Sequence, residues 1–493
     1  MASTEATAYP RLDTDIEVEV AIVGGGIAGL STAWELACAG RSVALIEAAR
    51  IAGGVTGHTT AKLSSQHGLV YGRLRTTFGP EAARLYAAAQ TDAVEHLAAT
   101  AEQLGVDCDL ERAPAFVYTE SEEDVPVIRD EADAAREAGL DASFTTETGL
   151  PFPVAGAVRV EDEAQFHPRK YLLALAADLT ARGGAIFEES RVVALDSGDA
   201  THMLTVEGGA TIRADEVVVA THFPIFNRLK LFARLAPRRE LVVAASIPAE
   251  EDPGGMYLTP EERTRSVRTA PYADGRRLLI ITGEKFKPGS PGVSGRLELL
   301  TAWAAERFGA TDPAYTWAAQ DYSTTDRVPF IGRIKDGEHL YVACGFGGWG
   351  MSNGVAAARL IAGLSRDEPP PWAALFDPAR FHPFKEAANL AVNQGNATRH
   401  LVGDRINRHA ELADLDPGEG AVVRSVGPLR AVFRDDDGEF HSLAAACSHM
   451  GCVVGFNDAE RTWDCPCHGS RFDIDGNILH GPAIKPLPKS PLD

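Results

Sequence analysis

Along residues 18–50, VEVAIVGGGIAGLSTAWELACAGRSVALIEAAR, the hydrophobic pattern changes period twice. An apolar run ending at Val23 reads as a buried strand, and the stretch after Gly26 repeats apolar residues at helical spacing. A second apolar strand then ends at Glu47. The turn of this strand–helix–strand unit carries Gly24, Gly26 and Gly29 as G-x-G-x-x-G. Glycines there permit a tight turn and close backbone approach, and the helix N-terminus offers free N–H groups to a pyrophosphate. Glu47 follows Gly29 by 18 residues, where a carboxylate accepts hydrogen bonds from a ribose hydroxyl and repels a 2′-phosphate. The pattern predicts a dinucleotide site.

Far along the chain, HLYVACGFGGWGMSNGVAAARLIAGL is again strand, glycine turn and helix. Gly345, Gly347 and Gly350 repeat the formal spacing, but DEPPPW follows in place of a second strand ending in an acid. One large cofactor held by both ends of a domain fits better than two nucleotides. Between these ends, EAARLYAAAQTDAVEHLAATAEQLG has helical period, while TRSVRTAPY and RRLLIITGEKF alternate as strands. They predict a second, sheet-based unit.

Composition bounds this picture. A chain of 493 residues is long enough for two to four units. Its formal charge of −22 argues against nucleic acid and anionic membrane as partners. No run resembles a transmembrane segment and no basic apolar leader opens the chain, so a cytoplasmic location is expected. Cys38, Cys108 and Cys344 stand alone in apolar or glycine-rich surroundings and are expected to be buried thiols.

The other four of the seven cysteines fall within CSHMGCVVGFNDAERTWDCPCHGSRF, residues 447–472. Cys447-x-His449 and Cys465-x-x-His468 are two short pairs with metal-ligand spacing. Four-coordinate zinc is the generic occupant of a Cys₂His₂ set. A zinc finger, however, keeps its cysteines in one pair and its histidines in the other; here both pairs are mixed.

Residues 18–375 resemble the D-amino-acid oxidase/glycine oxidase superfamily of FAD-dependent oxidoreductases. The resemblance implies an α/β Rossmann-like FAD-binding fold with a sheet-based substrate domain. It places Gly53, Gly54, Thr59 and Thr60 near FAD, Val192 on the adenine side, and Gly345, Gly347, Gly348 and Met351 near the flavin ring. His58 lies in the same loop, in a segment where some amine-dehydrogenating relatives bond a histidine to the flavin; here it is expected to hold FAD without a bond. His222 stands where the superfamily usually has glycine. Superfamily members that take amino acids grip the carboxylate with an arginine from the second domain. Arg263, Arg265 and Arg268 sit on a probable strand of that region, and Arg327 precedes the closing strand; Arg327 and Arg268 are the candidates near substrate or flavin.

The boxes CSHMGC and CPCHGS resemble the all-β Rieske [2Fe–2S] domain. By that resemblance Cys447 and Cys465 bind one iron, and His449 and His468 the other. Cys452 and Cys467 take the positions of the respiratory-type disulfide. Ser470 matches a serine that donates to a cluster sulfide. Phe472 replaces a tyrosine that donates to a cysteine sulfur, and GPAIKPL resembles the proline loop over the cluster. The expected division is an FAD-binding domain at 18–80, 150–225 and 325–375, and a substrate domain at 81–149 and 226–324. A helical linker at 376–409 and the Rieske domain at 410–493 complete it.

The whole order resembles a bacterial family of FAD-dependent oxidoreductases with a C-terminal Rieske domain. It implies dehydrogenation of a small amine or amino acid, with electrons leaving through the cluster to a separate protein or quinone-like acceptor. Three alternatives stand beside it. A reductase fed by NAD(P)H needs a second nucleotide fold, which the sequence does not show. A Rieske oxygenase needs a further iron held by two histidines and a carboxylate, and no convincing histidine pair stands outside the boxes. An electron-transfer component without its own amine substrate remains the third.

A hydroxyl aimed at a cluster cysteine favours the reduced, more negative state. Phe472→Tyr is therefore expected to raise the cluster midpoint potential, read by protein-film voltammetry. A lowered midpoint with the hydroxyl in place would overturn that assignment.

Overall fold

The computed structural model describes residues 4–492 apart from 199–200, 227–228, 261–263, 335–338, 404–409 and 425–427. The first apolar run forms the strand Ile16–Val23, and the stretch behind the glycine turn forms the helix Ile27–Cys38. The strand Val43–Ile46 returns parallel to the first. One face of these strands packs on helices and the other on an apolar cluster that includes Leu204, Phe223 and Leu235, which is why residues 20–23 and Val43–Ile46 are apolar throughout and do not alternate.

Across this sheet the order is Ala185–Phe187, Val43–Ile46, Ile16–Val23 and then the long strand Thr211–His222. The early part of Thr211–His222 pairs antiparallel with His202–Val206. Its later part pairs in parallel with Leu340–Cys344. Strand order reverses beside Ile16–Val23, so a crevice opens at the C-terminal ends of that strand and of Thr211–His222. The helix Gly350–Ser365 crosses Ile27–Cys38 so closely that a Cβ on Gly354 would come within 2.7 Å of Ile27.

A second, eight-stranded sheet begins Tyr315–Thr324, Leu235–Ile247, Arg277–Phe286, Arg265–Pro271. It continues Met256–Leu258, Ala115–Thr119, Gly156–Val160, Ala142–Thr145. Val293, Leu300 and Ala304 of the helix Val293–Phe308 are buried in this sheet's core. Two expected boundaries move. The strand Gly156–Val160 joins this second sheet beside Ala115–Thr119, so the chain returns to the nucleotide-binding unit after 160 and not at 150. The helix Pro80–Gln103, expected in the substrate domain from 81, buries Tyr86, Ala93 and Leu97 in the core of the nucleotide-site helices. Periodicity gives an element's type; it does not say which sheet or core the element joins. Cys108 and Cys344 are buried as expected, but Cys38 is exposed at the end of its helix.

The C-terminal unit is built on two small antiparallel sheets. Gly420–Arg424, Leu429–Arg434 and Phe440–Ala444 form one. Gly455–Asn457, Thr462–Asp464, Arg471–Phe472 and Ile478–His480 form the other. Before it runs the helix Pro383–Thr398, pinned by the buried Glu386, which accepts two hydrogen bonds of 3.1 Å from Arg234. No helix among the described residues is long and apolar enough to cross a membrane.

The C-terminal unit docks onto the second sheet through buried charge. Arg239, on Leu235–Ile247, lies 3.2 Å from Asp464, and neither side chain is exposed. Arg239 also pairs with Glu460, and Arg471 closes the network at 3.1 Å from Asp464 and 2.9 Å from Glu460. Asp458 accepts hydrogen bonds from the Val293 and Ser294 N–H groups at 2.8 and 3.2 Å. It caps a helix whose own N-cap, Gly292, has no side chain to do so. At Gly455 and Gly289 the two backbones meet; a Cβ on Gly455 would lie 2.3 Å from the Gly289 carbonyl oxygen.

Removing one partner of a buried pair leaves the other charged and without water, at a cost of about 3–5 kcal/mol. Arg239→Ala is expected to split the thermal unfolding of the full chain, with an early transition for the C-terminal unit in scanning calorimetry. An unchanged unfolding curve would contradict the docking role.

Candidate active site and metal centre

The N-terminal glycine turn is shaped by what its residues lack. Gly24 has φ +111°, and a Cβ there would lie 2.5 Å from the Ala220 carbonyl oxygen. A Cβ on Gly29 would lie 1.8 Å from the Gly24 carbonyl oxygen. Gly26 is the N-cap of Ile27–Cys38 and makes no side-chain cap. The first helical turn therefore meets an open cavity lined by Gly24, Gly26, Glu47, Gly54 and Val192. This cradle fits the pyrophosphate and ribose of a dinucleotide. Glu47 accepts hydrogen bonds from the Gly25 and Ala49 N–H groups at 2.7 and 2.8 Å. Burial raises its carboxyl, and those two N–H groups oppose the shift.

The same cavity continues to Thr59, Thr60, Gly348 and Met351. A second cavity, of about 590 Å³, shares those four residues and adds Gly345, Gly347 and Arg327. The wall between the two cavities is thus the loop and glycine turn expected beside a flavin ring. Gly29 lines neither cavity. His58 also lines neither. Its Nδ1 lies 2.9 Å from the Gly54 carbonyl oxygen, closing its own short turn. Arg268 lines neither cavity; it is buried on Arg265–Pro271 and donates to the Thr269 carbonyl oxygen at 3.3 Å. Arg265 pairs with Glu284 at 2.6 Å, and Arg263 lies outside the described residues.

At the metal centre, Cys447 and Cys465 are buried and free, and their thiols hydrogen-bond each other. The rings of His449 and His468 are 5.0 Å apart, and the Nδ1 of each is buried without a partner. Buried polar atoms are normally satisfied, and two orphaned imidazole nitrogens beside two thiols fit a [2Fe–2S] cluster held by two Cys and two His. Burial, and then the neighbouring His449, lowers His468 to about 4, so its ring is neutral at pH 7, the form that binds a metal. Cys452 and Cys467 form a disulfide. Their sulfurs lie within 4.8 Å of the Cys465 sulfur, but a disulfide has no thiolate to give, so these three are not an ion site. The Ser470 hydroxyl reaches Cys447 and accepts from the Ala483 N–H at 3.2 Å. Phe472 is fully buried in one core with Cys447 and Cys465.

One strand reaches both sites, and no motif marked it. On Tyr315–Thr324, Ala319, Gln320 and Asp321 line the nucleotide cavity. Gln320 also donates to the Gly469 carbonyl oxygen at 2.8 Å, and the Tyr322 hydroxyl to the His468 carbonyl oxygen at 2.9 Å. His222, with φ 65°, lies 3.1 Å from His480 of the C-terminal unit and 3.2 Å from Asp321. Burial would raise the Asp321 carboxyl, but His222 and then Arg238 hold it low. Phe223 and Phe232 pack their rings against His468 at 5.7 and 5.9 Å. In the sequence His222 was visible only as a departure from glycine, and Gln320, Tyr322 and His480 carried no signal.

His468→Ala is expected to abolish the rhombic low-field EPR signal of a Rieske centre while the flavin absorbance stays. Retention of that signal in the purified variant would overturn the ligand set.

Comparison with known proteins agrees with both cofactors. Residues 19–364 match the model of the FAD-dependent oxidoreductase family, and residues 406–491 match that of the Rieske [2Fe-2S] domain. The Bacillus subtilis (strain 168) protein YhfW, which carries the name of a Rieske 2Fe-2S iron-sulfur protein, is 34% identical over 495 residues, covering 100% of this chain and 97% of its own. Gamma-glutamylputrescine oxidoreductase of Escherichia coli (strain K12) is 24% identical, over 73% of this chain and 86% of its own. Two solved structures share the fold of the N-terminal part. L-proline dehydrogenase from P. horikoshii has a TM-score of 0.63 at 19% identity, over 76% of this chain and 99% of its own. Glycine oxidase from Geobacillus kaustophilus has a TM-score of 0.61 at 21% identity, over 74% of this chain and 99% of its own. The chain belongs to the FAD-dependent oxidoreductase family and carries a C-terminal Rieske domain, so its cofactors are FAD and a [2Fe–2S] cluster.

Proposed function

We propose that this enzyme dehydrogenates a small amine or amino acid at a carbon bearing nitrogen and delivers the electrons through the Rieske centre to a separate acceptor. The observation that carries this reading is the strand Tyr315–Thr324. Its Gln320 lines the nucleotide cavity and also holds Gly469, the residue that follows His468. When bound, FAD accepts two electrons as a hydride and the cluster carries one at a time. The protein's own part is placement. Thr59, Thr60 and the turn at Gly348 form the wall shared by the two cavities. The second cavity holds the substrate against that wall. Gln320 and Tyr322 fix the ligand loop from one side, and Phe223 and Phe232 keep water from His468 on another. No side chain need act as the base, because an amine enters neutral or loses its proton to water.

The resemblance to gamma-glutamylputrescine oxidoreductase supports a nitrogen-bearing substrate. The acceptor is a protein or a quinone-like molecule that meets the C-terminal unit from outside.

An anaerobic screen of small amines and amino acids tests the reading, with flavin bands and Rieske EPR followed separately. A substrate is expected to bleach the flavin first and then bring up the signal of the reduced cluster. Flavin bleaching that never reaches the cluster would reject the proposed route. Silence across the amines, with both signals raised by NAD(P)H, would favour a reductase.

The imidazole of His58 is engaged with its own turn. Acid precipitation is therefore expected to release all the flavin into the supernatant. Yellow colour kept by the precipitated protein would show a covalent link.

A further inference from the structure

The second cavity carries a charge that the cofactor does not explain. Lys62, Arg73, Arg238, Lys285 and Arg327 line it, against the single carboxylate of Glu240 among the described lining residues. The chain as a whole has a formal charge of −22, so this excess of cations is local and opposite to the rest of the molecule. Arg238 and Glu240 line the nucleotide cavity as well; the other four cations line the second cavity alone. Their counter-charge is therefore not the pyrophosphate, which belongs at the far end, by Gly24 and Gly26.

Nor, among the described residues, do protein carboxylates balance them. Glu240 lies 3.6 Å from Lys285 and 3.9 Å from Arg238, so one acid serves two bases. Lys62 has as its hydrogen-bond partner the Thr60 hydroxyl, at 3.2 Å. Arg73 donates to the Arg327 carbonyl oxygen at 3.5 Å, and its Nε is buried without a partner. Among the described residues no carboxylate lies within ion-pair distance of Lys62, Arg73 or Arg327. The nearby acids are engaged elsewhere: Asp326 with Arg380 at 2.7 Å, and Glu131 with the Tyr71 and Gly72 N–H groups at 2.9 and 2.8 Å. Burial lowers Lys62 to about 7, with Arg268 adding to the effect, and burial likewise lowers Arg73, Lys285 and Arg327. A fold that holds cations away from water without partners loses stability by doing so, which marks a site kept for an anionic ligand.

Arg73 adjoins Arg327 through the 3.5 Å contact, Arg327 stands near Arg238 and Lys285, and Lys62 and Lys285 both stand near Glu240, so the cations line the cavity as one continuous run. We infer that the substrate is an amine bearing at least two anionic groups, carboxylates in the simplest case, because five lining cations against one carboxylate exceed what a single anion balances. This rests on the proposal that the second cavity is where an amine is oxidised. In that reaction the C–H bond beside nitrogen breaks and its hydrogen leaves with the electron pair as hydride to FAD. Nitrogen gives up one proton as the C=N bond forms, and water then splits the imine into a carbonyl compound and an amine.

Binding without turnover separates this inference from the reaction. Glutarate and butyrate, neither of which has a nitrogen to oxidise, are titrated into the FAD-loaded full chain and followed by flavin difference spectra and calorimetry. Glutarate is expected to bind about tenfold or more tightly than butyrate, an advantage that shrinks with added salt. Lys62→Met and Arg327→Gln are each expected to remove most of that advantage. Equal affinities of the wild-type chain for the two acids would overturn the inference and leave the reaction standing. Tight glutarate binding in an enzyme that no amine reduces would overturn the reaction, and with it the amine, and leave only the cavity's preference for a dianion standing.

Discussion

The docking of the C-terminal unit depends on Arg239. Its guanidinium has no exposed surface and stands between a sheet of one unit and two acids of the other. Taken alone, either side would hold uncompensated charge in a medium that screens it poorly. Together with Arg471 the four groups balance, two cations against two acids. The balance fixes orientation more than strength, because buried pairs of this kind tolerate only one arrangement. Docked so, His468 and Gly469 meet the strand Tyr315–Thr324, and His480 meets His222. The relation between the two cofactor sites follows from that arrangement.

The electrostatics of the two cavities then divide the work. The nucleotide cavity relies on backbone N–H groups at a helix N-terminus, which carry partial charge. The second cavity relies on whole charges from side chains of the short strand Lys62–Leu63 at Lys62, the helix Val70–Phe78 at Arg73, and the strands at Arg238 and Lys285. Side chains drawn from elements so far apart in sequence come together only once both sheets are formed. Glycines at 24 and 348, by contrast, act through the local path of the chain.

This difference explains what the sequence could and could not show. Gly24, Gly26 and Gly29, and the mixed boxes at Cys447 and Cys465, are local patterns in which residue type and spacing state the chemistry directly. They were legible at once, as was the α/β and all-β order of the units. The strand Gly156–Val160 and the helix Pro80–Gln103 were legible as elements, but their places were decided by partners far away. His58 sat in the right loop, yet its ring turned back to Gly54, a choice of rotamer that no motif encodes. Arg268 shares a strand face with Ser266, which lines the second cavity, yet lines neither cavity itself, and Lys62, Arg73 and Lys285 carried no local signal for the cavity they line.

The cap on the helix Val293–Phe308 bears on how the chain is made. Asp458 follows Val293 by 165 residues, so the helix leaves the ribosome long before its cap exists. Through that interval its first turn has open N–H groups, and Arg239 faces water with no acid to meet. The N-terminal part of a nascent chain therefore displays a half-finished docking face, and synthesis from the N-terminus keeps the second sheet provisional until the final strands arrive.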